Sequence, residues 1–213
     1  MKIAIFGVSG IVGQRVAREA LDRGHEVKGI VRDTTRVSIS HPNFSVEEGN
    51  IQDAASVARQ VAGYDVIVNA TAPRYAAGEG PQTFLTAANA VIEGVKQVGS
   101  GRLIVVGGAG SLEVAPGVQL VDTPDFPEAW KAGASVLRDA LPIYKASDID
   151  WTFFCPAALI QPGERTGKYR LGTDQLVTNE QGESSISAED FAVALLDEVE
   201  KSQFIRRRFT AAY

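Results

Sequence analysis

The turn Gly7-Val8-Ser9-Gly10-Ile11-Val12-Gly13 constrains this chain more than any other segment. It follows the short apolar run Ile3-Ala4-Ile5-Phe6, which reads as a strand buried on both faces. It precedes a stretch whose apolar positions Val12, Val16, Ala17, Ala20 and Leu21 recur at helical spacing, and Gly24 closes that stretch. Spaced glycines carry meaning in this strand–turn–helix context. Gly7 permits the tight turn, Gly10 lets a phosphate approach the backbone, and Gly13 lets the helix pack closely on the strand. The helix start adds unpaired N–H groups and a partial positive charge. The pattern therefore points to a dinucleotide whose pyrophosphate rests on Gly7, Ser9, Gly10, Ile11, Val12 and Gly13. The competing reading is a glycine-rich turn without a ligand.

The same alternation continues along the chain. Strands are expected at 27–31, 44–46, 66–68, 103–106 and 151–155, with a closing strand at 208–213. Helices are expected at 54–62, 81–98, 128–147 (with Pro142 as a break) and 188–200, the last capped by Ser187 with Asp190 in its first turn. Prolines 116, 124 and 127 mark 112–127 as an irregular loop, and 156–167 reads as a second one. Short buried strands alternating with helices imply parallel βαβ crossovers. The expected fold is thus α/β, a doubly wound Rossmann-type parallel sheet flanked by helices. It forms one domain over residues 1–213, with loops on the substrate side at about 112–127 and 156–170.

Charge and special residues narrow the partners. The net charge is -5, from 21 basic and 26 acidic side chains, which disfavours a nucleic-acid backbone. The run Arg206-Arg207-Arg208 reads as a solvated turn rather than a basic patch. No stretch approaches the roughly 20 apolar residues of a membrane span, and no signal segment is apparent, so a cytoplasmic protein is expected. The single cysteine, Cys155, can form neither an internal disulfide nor a metal cage, and its aromatic neighbours suggest a buried strand. His25 and His41 lie in turns away from the ligand side, and no cluster has metal-ligand spacing.

The second strand ends Val31-Arg32-Asp33, with Arg36 close behind. Asp33 has the spacing of a residue that binds ribose hydroxyls and favours NAD. Arg32 and Arg36 can instead pair with a 2′-phosphate, or they are ordinary surface charges. NADP is the expected cofactor, with NAD as the alternative. Asn50 and Ile51 follow the third strand, where Asn50 can meet the adenine edge. Ala70, Thr71 and Ala72 end the fourth strand with small side chains that leave room for a ligand in the crevice.

Together these motifs resemble the atypical short-chain dehydrogenase/reductase superfamily. Val105-Val106-Gly107-Gly108-Ala109-Gly110-Ser111-Leu112, Pro156-Ala157-Ala158, Pro162-Gly163-Glu164-Arg165-Thr166-Gly167, Ile186-Ser187-x-Glu189-Asp190 and Arg208-Phe209-Thr210 narrow the likeness. They are similar to proteins described as NADH-flavin reductases, related to the biliverdin reductase B type and to NmrA-like proteins. The resemblance implies a seven- or eight-stranded parallel sheet with the nicotinamide near Gly107 and Gly108 and near Pro156, Ala157 and Ala158. It also implies Ser111 beside the nicotinamide, bonding a substrate carbonyl or the cofactor amide. The residue's own context allows a cap or turn role as well.

One departure bears on the chemistry. Superfamily members that act on carbonyls and alcohols use Tyr-x-x-x-Lys, and none of Tyr64, Tyr75, Tyr144, Tyr169 and Tyr213 has a lysine four residues later. Hydride addition to a carbonyl needs a proton donor, whereas a flavin or quinone gives a delocalised anion that water can protonate. The expected activity is therefore NAD(P)H-dependent reduction of a flavin, quinone or similar planar acceptor, with flavin as substrate rather than a tightly bound group. Tyr75, Trp130 and Arg165 are candidate pocket walls, and Lys131 is a candidate for meeting a developing anion. Each also reads as packing or solvated surface. The main alternative is a non-catalytic NAD(P)-sensing regulator of the NmrA-like type. A nucleotide-sugar epimerase is a third reading, disfavoured by the missing tyrosine and the short C-terminal portion. A monomer or a homodimer is expected.

Overall fold

A computed structural model describes residues 1–73 and 80–213. In chain order the strands are β1 (Lys2–Phe6), β2 (Glu26–Val31), β3 (Phe44–Glu48), β4 (Val66–Asn69), β5 (Arg102–Val106), β6 (Glu113–Ala115), β7 (Val118–Gln119), β8 (Trp151–Cys155), β9 (Leu159–Gln161), β10 (Arg170–Gly172), β11 (Ser185–Ser187) and β12 (Arg207–Ala212). The α-helices are α1 (Ile11–Asp22), α2 (Ala54–Val61), α3 (Pro81–Val98), α4 (Glu128–Lys145) and α5 (Ala188–Lys201).

Eight strands form the central sheet in the order β10-β12-β8-β5-β4-β1-β2-β3. All neighbours are parallel except β10, which runs antiparallel to β12 along the edge. Parallel strands must be buried on both faces, and the sequence supplies this with unbroken apolar runs such as Ile3–Phe6 and Val66–Val68. One face packs α1 and α5 against Ile3, Ile5, Val68 and Phe154. The other packs α2, α3 and α4 against Ala4, Phe6, Ile67, Leu103 and Phe153. On the first face Phe191, Phe154, Phe209 and Phe204 stack ring on ring, with centroids 4.0, 4.1 and 4.4 Å apart.

The strand order reverses between β1 and β4, which leaves a crevice beyond their C-terminal ends. Register keeps those ends level: Phe6 lies opposite both Ile30 and Asn69, and Asn69 opposite Val105. Helix α4 runs through Pro142 rather than breaking there. The proline removes one N–H in the last turn, while Ala140, Leu141 and Tyr144 around it are buried against the sheet. The two expected loops also contain paired structure. The first holds the β6–β7 hairpin, and the second holds β9, which pairs in parallel with β11.

Candidate dinucleotide-binding cleft

The floor of the crevice is the turn after β1. Gly7 sits at φ 81°, a left-handed conformation, and a Cβ there would lie 2.8 Å from the Ala70 carbonyl oxygen. Gly13 is equally constrained: its Cβ would lie 2.2 Å from the Gly7 carbonyl oxygen. The glycines thus let α1 press directly onto the turn. Gly10 caps α1 without a side chain, and no acidic residue stands in the first turn. The first N–H groups of a helix have no intrahelical partner, so this terminus faces the crevice as an uncompensated positive pole. A Cβ on Gly10 would approach only the Gly7 carbonyl, at 3.3 Å, so its remaining space is open.

The cavity above this turn has a volume of about 410 Å³. Gly7, Ser9, Gly10, Ile11 and Val12 line its centre. One end is bounded by Arg32, Asp33, Arg36, Asn50 and Ile51, and the opposite side by Ala70, Thr71, Ala72 and Gly107. These expected residues come from the ends of five parallel strands, β1 to β5, and the turns that follow them. Hydrogen bonds fix those turns: Gly7 N donates to Ile30 O at 3.2 Å, Ala70 N to Phe6 O at 3.0 Å, and Gly107 N to Phe154 O at 2.8 Å.

Asp33 is turned onto its own chain. Its Oδ1 accepts from Thr35 Oγ1 at 2.6 Å and Thr35 N at 3.1 Å, and these bonds hold its carboxyl below the usual range. Asn50 Oδ1 accepts from Gln52 N at 3.0 Å, which fixes the turn before α2. Asp53 caps that helix through Ala55 N at 3.0 Å.

Other expected site residues stand away from the cavity wall. Ser111 is fully buried; its Oγ donates to Gly108 O at 3.1 Å and lies 3.4 Å from Cys155 Sγ, while its carbonyl accepts from Arg208. The serine is thus engaged by the turn below the cleft and does not line the cavity. Gly108 packs under α4, where a Cβ would meet Leu137 at 2.9 Å. Pro156 and Ala157 are buried, and the Ala158 N–H is taken by Ser184 Oγ at 3.1 Å. Trp130 is 58% exposed and Lys131 is exposed, both on the first turn of α4, and neither lines the cavity. Arg165 does not guard the entrance, because Glu19 of α1 holds it with bonds of 2.7 and 2.8 Å. Tyr75 lies outside the described residues.

In their place the structure brings Pro73, Thr83, Phe84, Val106 and Leu137 to the wall. Thr83 and Phe84 were legible in principle. They occupy the first turn of the helix after β4, and first turns in such a sheet face the crevice. Leu137, in mid-helix, left no sequence signal. Among the described residues no cluster could hold a metal ion.

The family described as NAD(P)H-binding matches residues 7–202. The chain belongs to that family. The match begins at the glycine of the turn and covers every strand end that lines the cavity. Over all of its own length the chain is also similar to solved structures, among them the following. A protein of Burkholderia pseudomallei, described as a candidate exported protein, is 47% identical with a TM-score of 0.90, all of both chains being covered. A candidate epimerase of Bacteroides thetaiotaomicron is 37% identical with a TM-score of 0.92, covering 96% of that chain. A candidate NADH-flavin reductase of Streptococcus pneumoniae is 34% identical with a TM-score of 0.84, covering 99% of that chain. Among the described residues no helix is long and apolar enough to cross a membrane.

Proposed function

We propose that this protein is an NADP(H)-dependent reductase of a flavin, quinone or comparable planar acceptor. The observation that carries the reading is the contrast between the two ends of the cleft. At the Asn50 end stand two guanidinium residues, Arg32 and Arg36, with the competing carboxylate of Asp33 engaged by Thr35. That arrangement suits a 2′-phosphate better than a bare ribose. At the Gly107 end Pro73, Phe84, Val106 and Leu137 offer apolar surface, beside the two hydroxyls of Thr71 and Thr83.

The cradle fits a dinucleotide. The open space at Gly10 and the uncapped start of α1 suit a pyrophosphate, and small residues at 70–72 leave room between β1 and β4. When bound, the dinucleotide supplies a hydride. The chain's part is to hold it, exclude water on the apolar side and admit a flat partner. Such a pocket suits an acceptor whose reduced form is a delocalised anion, because a proton from solvent then suffices. The candidate NADH-flavin reductase of Streptococcus pneumoniae, at 34% identity, supports the same choice.

The test is NADPH consumption with FMN, riboflavin and a simple quinone, set against an aliphatic aldehyde and a protein-free control. Saturable turnover with the planar acceptors alone is expected. Turnover confined to the aldehyde would refute the acceptor class. NADPH binding without any turnover would favour a dinucleotide-sensing role.

A further inference from the structure

We infer that Thr71 is a specificity residue of the cleft, fixed by Asn69 as a pure hydrogen-bond acceptor that reads a neutral N–H or O–H donor on the nicotinamide half of the ligand. The inference rests on the dinucleotide occupying this cleft.

Asn69 ends β4 and is 2% exposed. Its Oδ1 accepts two bonds from one residue: Thr71 N at 3.1 Å and Thr71 Oγ1 at 2.7 Å. The backbone N–H settles which way the amide faces, because an NH2 group turned toward it would set donor against donor. Once Oδ1 is fixed there, the Thr71 hydroxyl must be the donor of the second bond. A hydroxyl has one proton and two lone pairs, so its donor is spent and only acceptor capacity remains.

The two bonds to Thr71 by themselves set the Asn69 amide in this pose. Thr71 itself is half-buried and lines the cavity. It stands on the β4 side, beside the small residues Ala70 and Ala72.

The consequence is a polarity rule. Phosphate oxygens are acceptors, so lone pairs directed at them are unfavourable, and phosphate is better placed on the N–H groups of Ile11 and Val12. The donors that a nicotinamide nucleoside presents are its ribose hydroxyls and its carboxamide NH2. Either satisfies Thr71. The adenosine half carries neutral donors too, but its 2′-phosphate is matched to Arg32 and Arg36 at the other end of the cleft, which leaves the nicotinamide half for β4.

The experiment measures dissociation constants of NADPH and of 2′,5′-ADP, which lacks the nicotinamide half, on wild-type protein and on Thr71→Val and Thr71→Ser. In Thr71→Val the backbone N–H still bonds Asn69, so the turn is retained. We expect Thr71→Val to weaken NADPH about tenfold, as for one lost partially buried hydrogen bond, and to leave 2′,5′-ADP unchanged. Thr71→Ser should bind both like wild type. The 3-acetylpyridine analogue of NADPH, which has no amide NH2, separates the two donors. Equal binding by wild type and Thr71→Val assigns the contact to the carboxamide, and a persistent loss in the variant assigns it to the ribose. Unchanged NADPH affinity in Thr71→Val, or equal loss for NADPH and 2′,5′-ADP, overturns the inference. Wild-type protein that binds neither probe overturns the dinucleotide assignment together with it.

Discussion

Gly13 and Gly10 stand three residues apart in one motif, yet their replacement should fail in different ways. At Gly13 a Cβ would lie 2.2 Å from the Gly7 carbonyl oxygen and 2.9 Å from the Gly7 carbonyl carbon and from Val8 Cα. Every one of these neighbours is backbone, so no side chain can move aside. Relief to ordinary contact needs a shift of about 1 Å between α1 and the turn, an overpacking strain of about 1–3 kcal/mol. Alanine's better helix propensity, about 1 kcal/mol over glycine, offsets part of this. A net loss of up to about 2 kcal/mol in a chain of this size lowers Tm by up to roughly 8 °C. The shift also displaces the N–H groups that face the cavity, so affinity for NADPH should fall in parallel.

Gly10→Val is the opposite case. A Cβ there meets only one atom, at 3.3 Å, and the remaining branches extend into the cavity. Tm without ligand should fall by only a few degrees, since valine is a poorer N-cap than glycine by about 0.5–1 kcal/mol. NADPH and NADH affinity should both collapse, because the side chain occupies the space a pyrophosphate requires. Thermal melts with and without NADPH, together with fluorescence titration, test both variants. A Gly13→Ala protein as stable as wild type and with unchanged NADPH affinity would refute the close-packing reasoning. A Gly10→Val protein with unchanged affinity would refute the cradle.

Further outcomes can be checked with ordinary equipment. Arg32→Ala should weaken NADPH by roughly 1.5–3 kcal/mol and NADH much less, the range for a hydrogen bond to a charged group; equal losses in paired titrations would refute the 2′-phosphate assignment. Arg102 is buried with Glu198, and it also donates to Thr152 Oγ1 at 2.7 Å and to Ser202 Oγ at 2.9 Å. Arg102→Ala leaves the Glu198 carboxylate uncompensated and should cost about 3–5 kcal/mol in denaturant unfolding; a loss below about 1 kcal/mol would refute that role. Burial pushes the Cys155 thiol up to about 11, so it stays protonated and shielded at pH 8. It should resist iodoacetamide in the native protein and react fully in denaturant, whereas rapid native alkylation would contradict its placement.

Local order was readable and long-range pairing was not. Helix α3 was legible to its ends because Pro81 supplies a start signal and Gly99, at φ 70°, a left-handed stop. Ser187 was legible as a cap, and its Oγ accepts from Asp190 N at 2.9 Å. The floor of the cavity followed from the glycine turn because the turn, the strand end and the helix start are contiguous in sequence. Strands β9 and β11 were hidden, since each is three residues long and they pair across more than twenty positions. Arg165 misled for the same reason: its partner, Glu19, lies 146 residues away. The burial of Ser111 was not legible, because Arg208, which donates to its carbonyl, lies 97 positions away.

In the proposed reaction one dinucleotide, held in a single orientation on the Gly7–Gly13 turn, gives hydride to a planar acceptor. The most direct measurement uses NADPH carrying deuterium at one or the other C4 position, with FMN as acceptor, and reads deuterium in the recovered NADP+ by mass spectrometry. The prediction is retention from one isotopomer and loss from the other, in a reaction that Gly10→Val abolishes. Scrambled loss from both isotopomers, or FMN reduction that proceeds equally well with Gly10→Val, would contradict it.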